Sequence, residues 1–377
     1  TSKISNINPF YAIQIFEKGQ ALANKKNIIN LALGEPSAHL PNEITEYIAK
    51  EVKRKKYGYT DSIGIIDLRK KILKHYKKKY SLDISIENVA VTSGASAGIF
   101  LSLMTLFDKG DVVAISNPGY PCYKNIISAL GLIVYYIDTN FEDNFQLTPS
   151  LVKKLPRSIK GLIISSPSNP CGTIIPNSDL LEINEICKKM KIRVISDEIY
   201  HGLNYNNIDL KTFYSLDDNS VVINSFSKYF LMTGFRLGWT IAKKNIIERI
   251  KHLSMNFYLS PPSISQSLAL EVFNYYNYFD EVKKSYIFNR DFLIKSMQQL
   301  GLKDFVYPEG AFYLYIDISS IHNNSYEFCN NMVNEIGVTA APGIDFDKVN
   351  GKNFIRISYP GNLDDIKKAI SLIESWI

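Results

Sequence analysis

Lys228 stands in an ordered setting: Ser225-Phe226-Ser227 lead into it, and Gly234 and Arg236 follow shortly after. An isolated surface lysine needs none of these neighbours. A lysine that condenses with an aldehyde cofactor carrying a phosphate needs all of them. Its amine must be desolvated enough to react, while hydroxyls and a guanidinium neutralise the phosphate beside it.

Other segments supply matching chemistry. Ser93-Gly94-Ala95-Ser96 follows an apolar β-branched run and opens a helical pattern, so its backbone N–H groups and the helix dipole form an anion site. Asp197, in Ile195-Ser196-Asp197-Glu198-Ile199-Tyr200, suits either a helix N-cap or a buried carboxylate facing a protonated ring nitrogen. Asp197 and Glu198 are neighbours on a strand and point to opposite faces, so they form no acid–base pair. His201 reads as a structural histidine, because Lys228 already supplies a proton shuttle. Asn169 lies in Ser165-Ser166-Pro167-Ser168-Asn169-Pro170-Cys171-Gly172, and Asn-Pro is common turn punctuation. Arg356 alternates with Ile355 and Ile357, which leaves its planar fork free to bind a carboxylate through two parallel hydrogen bonds.

The elements that must position these residues follow from hydrophobic patterning. Val89–Thr92, Val112–Ile115, Ile133–Tyr136, Leu162–Ser165, Arg193–Ser196 and Val221–Asn224 read as buried strands. Helical patterns lie between several of them, including Ala95–Phe107 and Asp179–Lys191. Such alternation predicts an α/β fold with a mostly parallel sheet covered on both faces. Ligands then bind beyond the carboxyl ends of the strands. Ser93, Asn117, Tyr120, Asn169, Asp197 and Ser225 all fall at those ends or just after them. A long helical stretch over 264–300 precedes a smaller α+β unit, with strands over 311–316, 337–340 and 354–358, on which the N-terminal arm is expected to pack.

Composition narrows the classes. The 377 residues are 46% hydrophobic with a formal net charge of +6, as in an ordinary globular protein of about two domains. Basic residues crowd between Lys50 and Lys79, but Leu68, Ile72 and Leu73 recur there at helical spacing, which predicts a solvated helix face rather than a nucleic-acid patch. Four scattered cysteines make neither a disulfide framework nor a zinc site, and five histidines show no metal spacing, so no metal is expected. The first residues lack a secretory pattern and no apolar run is long enough to span a bilayer. A cytoplasmic location is therefore expected.

On these segments the chain resembles the class I/II aminotransferases, pyridoxal-phosphate-dependent enzymes of fold type I (the aspartate aminotransferase superfamily). The resemblance runs from Leu33-Gly34-Glu35-Pro36 to Ile355-Arg356-Ile357-Ser358. It implies a seven-stranded large domain (41–284), a small domain with an N-terminal arm (285–377 and 1–40), and a homodimer with shared active sites. It further implies pyridoxal 5'-phosphate as cofactor and a ping-pong exchange between an L-amino acid and a 2-oxo acid.

By the same resemblance Lys228 is the Schiff-base lysine, Asp197 partners the pyridine nitrogen, and Tyr200 and Asn169 bind the phenolic oxygen. Ser93, Gly94, Ala95, Ser96, Ser225, Ser227 and Arg236 form the phosphate cup. Tyr120, in Asn117-Pro118-Gly119-Tyr120, stacks on the ring unless it is plain core. Tyr59, chosen over Tyr57 by counting back from Leu68-Arg69, reaches the partner subunit's phosphate. Arg356, with Gly34 and Asn169, binds the substrate carboxylate. Cys171 replaces the usual threonine of the turn, which Pro170 and Gly172 keep in shape.

A C–S β-lyase on the same scaffold and a cofactor-binding regulatory protein are the rival readings. The regulator reading needs an added DNA-binding module, and none is expected from the short sequence before the first motif. Some aspartate-using relatives carry a basic residue at the position of Ala95. Its absence weakens a dicarboxylate preference, and Phe10, Tyr11, Phe257 and Tyr258 read either as walls of an apolar pocket or as ordinary packing; on the first reading neutral or hydrophobic donors are expected.

Overall fold

The computed structural model describes residues 7–54, 56–206 and 208–377. A short strand, β1 (Ile29–Asn30), comes first. Seven strands then build one sheet: β2 (Val89–Thr92), β3 (Val112–Asn117), β4 (Ile133–Asp138), β5 (Ile159–Ser165), β6 (Arg193–Asp197), β7 (Val221–Ser225) and β8 (Gly238–Ile241). Their order is β2-β8-β7-β6-β5-β3-β4, and every pairing is parallel except those of β8. All residues of β2, β7 and β8 are buried, as expected for a sheet covered on both faces.

The reversal at β8, a strand absent from the six runs read in the sequence, has a positional consequence. A chain leaving the carboxyl end of β7 and returning antiparallel through β8 keeps its connecting loop at one edge of the sheet. That loop carries Lys228 and Arg236, so both are held at the edge where β2, β3, β5 and β6 also end.

Three further strands, β9 (Tyr313–Asp317), β11 (Ala341–Pro342) and β12 (Phe354–Ser358), form an antiparallel sheet ordered β11-β12-β9. The strand β10 (Val338–Thr339) instead pairs parallel with β1, Ile29 opposite Val338, and ties the N-terminal segment to this part of the chain. Gly337 adopts φ +73° and ends the helix Ser325–Ile336, so the run expected over 337–340 shrinks to two residues. Ala311, at φ +56°, likewise delays β9 to Tyr313.

The long helical stretch is two helices, Ser263–Val272 and Tyr276–Gln299. Asn274 and Tyr275 close turns onto Glu271 and Val272 between them. The basic segment spans the end of the helix Asn42–Arg54 and the helix Ile66–Tyr80; in the latter Leu68, Ile72 and Tyr76 are buried while Lys70, Lys74 and Lys77 are exposed, although Lys78 and Lys79 at its end also face a cavity. No helix among the described residues is long and apolar enough to cross a membrane. No cluster of metal-ligating side chains occurs among them either.

Candidate active site

The carboxyl ends of the parallel strands open into a cavity of about 400 Å³. Its walls include Ala95, Ser96, Tyr120, Asn169, Asp197, Tyr200, Ser225, Ser227, Lys228, Arg236, Gly34 and Arg356. Residues as far apart in the chain as Gly34 and Arg356 thus share one space, most of them at or just beyond a strand end.

Lys228 Nζ donates to the Gly34 carbonyl at 2.7 Å. Burial lowers its pKa from the ordinary lysine value to about 8, and the Arg356 and Arg236 charges push the same way. Removing water and adding nearby cations both disfavour the ammonium, so the amine becomes accessible close to neutrality.

Asp197, the last residue of β6, is 4% exposed. Tyr123 O–H donates to Oδ2 at 2.6 Å and Ile199 N–H to Oδ1 at 3.2 Å. Burial raises the Asp197 pKa to about 6, with those two donors and the Lys228 charge opposing it. A cationic ring nitrogen placed against this carboxylate would restore its ionised state.

The anion cup forms where β2 turns into the helix Ala95–Leu106. Gly94 is its N-cap, at φ +82°. A Cβ there would meet Arg236 Nη2 at 2.7 Å, so only glycine lets the guanidinium approach. Arg236 itself takes φ +50° and donates to the Thr233 carbonyl at 3.0 Å. Ser225 Oγ accepts from the Ser227 N–H at 3.0 Å, which sets the two hydroxyls of the loop side by side. Helix N–H groups, two hydroxyls and a guanidinium together suit a phosphate dianion. The residues thus fit a group with a phosphate at one end, a basic ring nitrogen at the other and an aldehyde near Lys228.

Arg356, on β12, is 3% exposed. Nη1 donates to Asn169 Oδ1 at 2.8 Å and Nη2 to the Ala32 carbonyl at 2.6 Å, while the buried Nε has no hydrogen-bond partner among the described residues. The rings of Tyr313 and Phe346 hold the guanidinium plane from 4.3 and 4.6 Å. A buried N–H without an acceptor is costly, and a substrate carboxylate would satisfy it. Gly34 faces the Tyr313 hydroxyl so closely that a Cβ would come within 1.9 Å of it.

The sequence profile of aminotransferase class I and II matches residues 26–373. The chain is 35% identical to the valine–pyruvate aminotransferase of Mycobacterium tuberculosis, covering 99% of this chain and 97% of that one. This chain belongs to the class I and II aminotransferases. It is an enzyme, a transaminase. The aminotransferase is also 36% identical, over 100% and 99% of the two chains, to a (5-formylfuran-3-yl)methyl phosphate transaminase of Methanocaldococcus jannaschii. Among solved structures it superposes on an aminotransferase from Mycobacterium tuberculosis with a TM-score of 0.96 at 35% identity, covering 100% and 98% of the chains. On the aspartate aminotransferase of Thermus thermophilus with maleate the TM-score is 0.94 at 25% identity, covering 100% and 99%.

Not every expected residue of the aminotransferase reaches the cavity. Ser93 and Gly94 lie in the turn without lining the wall. Tyr59 is 82% exposed, away from the cavity of its own chain. Of the four aromatic wall candidates only Phe10 lines it. Tyr11 packs on Tyr326, Phe257 is exposed, and Tyr258 bonds to Ser254. Glu198 points away from the cavity, accepting from Phe213 N–H, Thr212 and Ser196. His201 bonds to Tyr80 and is held neutral by burial, with its pKa near 3.

Two residues of the site escaped the sequence reading. Tyr123 follows Tyr120 by three positions at the start of the helix Pro121–Ala129, a spacing that puts both on one face and could have flagged it. Tyr313, whose hydroxyl lies 2.8 Å from that of Tyr200, comes into place through the pairing of β9 with β12 and left no local signal.

Proposed function

We propose that this aminotransferase uses pyridoxal 5'-phosphate to transfer the amino group of an L-amino acid with a neutral, apolar side chain to a 2-oxo acid by ping-pong half-reactions. The observation that carries the substrate class is the wall beside Arg356. There Phe10, Ile13 and Leu33 are apolar, and each cationic group of the cavity already has a task. Arg356 takes the α-carboxylate, Arg236 the phosphate and Lys228 the aldehyde, so among the described residues no cation of the cavity wall remains for a second carboxylate. Ala95, in the cup, adds none. The valine–pyruvate relative supports this reading. The furan phosphate transaminase shows by its name that the scaffold also serves a different substrate, so the wall weighs more than the names.

When bound, the cofactor supplies an aldehyde that takes up the amino group and a ring that accepts the electron pair released at the substrate Cα. Asp197 holds the proton on the ring nitrogen, and Tyr123 holds Asp197. Asn169 Oδ1 is committed to Arg356, which leaves its amide N–H groups to donate, with Tyr200, to the phenolic oxygen. Tyr120 covers one ring face. Ser225, Ser227, Arg236 and the N–H groups after Ser93-Gly94 neutralise the phosphate. Arg356 orients the substrate carboxylate while Lys228, freed as an amine, takes the Cα proton. Tyr59, exposed here, completes the phosphate site of a partner subunit in a homodimer. The proposed setting is the cytoplasm, with a small domain and arm (285–377 and 1–40) closing on a large one (41–284).

Rapid-mixing absorbance with a panel of amino acids tests the reading. Valine, alanine and leucine should discharge the cofactor band fastest. Aspartate or glutamate reacting faster would overturn the apolar preference, and pyruvate plus ammonia released without an acceptor would favour the β-lyase.

A further inference from the structure

A second cavity, also of about 400 Å³, lies against the first. Ile199 and Ser225 belong to both walls, so the two are separated only by the end of β7 and the turn after β6. Its mouth is basic. The last turn of the helix Ile66–Tyr80 presents Lys78 and Lys79, and the helix Tyr276–Gln299 presents Lys283. The one carboxylate in the wall, Asp280, pairs with Lys283 at 3.2 Å. Lys78 rests 4.3 Å over the Tyr276 ring, and Lys79 makes no ion pair among the described residues. Three lysines against one aspartate leave a positive surplus, which Asp209 offsets only in part at Lys79. Two histidines of the wall, one of them buried, register that field. The pKa of each, His75 and His201, is lowered to about 3, chiefly by burial with the lysine charges adding to it, so both stay neutral at higher pH.

Behind the mouth the wall is aromatic, built from Tyr229, Phe230, Trp239 and Tyr276. A positive rim over flat apolar walls selects one chemistry: an anionic head on a planar body. We propose that this cavity binds a small aromatic or heteroaromatic anion, carboxylate or phosphate, separately from the substrate site. Its occupant would touch the active site through two shared residues. Ile199 N–H holds Asp197, and Ser225 Oγ orders Ser227 beside Lys228. The basic run of the helix Ile66–Tyr80, solvated by sequence pattern, thus turns two of its lysines towards a cavity, while Lys77 pairs with Asp83.

Ligand-observed fluorine NMR of the cofactor-loaded protein with 4-(trifluoromethyl)benzoate tests the site. We expect saturable binding of one probe per chain, weakened about tenfold in Lys79→Gln/Lys283→Gln and little changed in Arg356→Leu. Rising salt should weaken it further, as expected of charges at a solvent-facing rim. The double variant changes rim side chains, so its fold and transaminase activity should persist. Binding abolished by Arg356→Leu but intact in the double variant would place the probe in the substrate site and overturn the proposal. Binding insensitive to both, or no saturable binding, would overturn it equally.

Discussion

Asp197 is asked to stay ionised in a place where burial opposes ionisation, and Tyr123 is the side chain that counters it most directly. Hydrogen bonds to charged groups are worth about 1.5–3 kcal/mol, so Tyr123→Phe should loosen pyridoxal phosphate binding about tenfold or more. The sign of the accompanying pH effect follows from the same contact. Losing a donor favours the protonated carboxyl, so the acid limb of the kcat/KM profile should move to higher pH than in the unmodified enzyme. An unchanged limb with unchanged cofactor affinity would show that Tyr123 only fills space. Lys228→Ala is the companion test. Removal of the proton shuttle should lower turnover by about 10²–10⁴-fold or more. Cofactor should still bind through the cup and Asp197, and borohydride should no longer fix it to the chain.

At the scale of elements, the first turn of the helix Tyr11–Leu22 is capped by one side chain. Both oxygens of Asp345 accept from its first turn, from Tyr11 N–H at 2.9 Å and Ala12 N–H at 2.7 Å. This carboxylate does the work of an N-cap that Phe10, the residue before the helix, cannot do. The helix matters because Phe10 and Ile13 line the cavity. Asp345→Ala should destabilise the arm by about 1–2 kcal/mol, the usual size of a lost cap. Faster proteolysis near the N-terminus and a raised KM for the amino acid, with kcat less affected, are the expected readouts. Gly34 sets a second elementary limit. A Cβ at 1.9 Å from the Tyr313 hydroxyl forces the β9–β12 pair or the Gly34 segment to move. Gly34→Ala should therefore impair carboxylate binding more than thermal stability.

For the whole molecule, stability and assembly give two expectations. Glu198 is buried, and despite three donors its pKa is raised from 4.5 to about 8. The native state then binds a proton more tightly than the unfolded chain. Its contribution is fully present below about 4.5 and is lost as pH rises towards 8. Glu198→Gln should flatten the fall of Tm over that window. The amide oxygen can keep the donors at Oε1, and the amide nitrogen would take the Oε2 position, 3.5 Å from His201 Nδ1. Assembly is tested by complementation. If Tyr59 serves the partner's site, mixing Lys228→Ala with Tyr59→Ala chains should recover about a quarter of full activity, from hybrid dimers holding one intact site. Recovery no greater than that of the Tyr59→Ala chain alone would refute the shared site.

Much of this was written locally. The hydroxyl–lysine–glycine–arginine order, the Asn-Pro turn, the aspartate at a strand end and the buried β-branched runs each carry their signal within a few residues. Chemistry and fold class could therefore be read before any contact was known. What needed the folded chain was whatever depends on pairing between distant segments. The antiparallel return through β8 holds Lys228 at the strand ends, and strand register brings Tyr313 to Tyr200. Packing of the arm places Phe10, and not Phe257 or Tyr258, in the wall. Aromatic residues all satisfy the same hydrophobic pattern, and only three-dimensional neighbours distinguish a core ring from a pocket ring. The second cavity has the same origin. Its lysines look like any solvated helix face in sequence, and only the packing of the helix Tyr276–Gln299 closes a space in front of them.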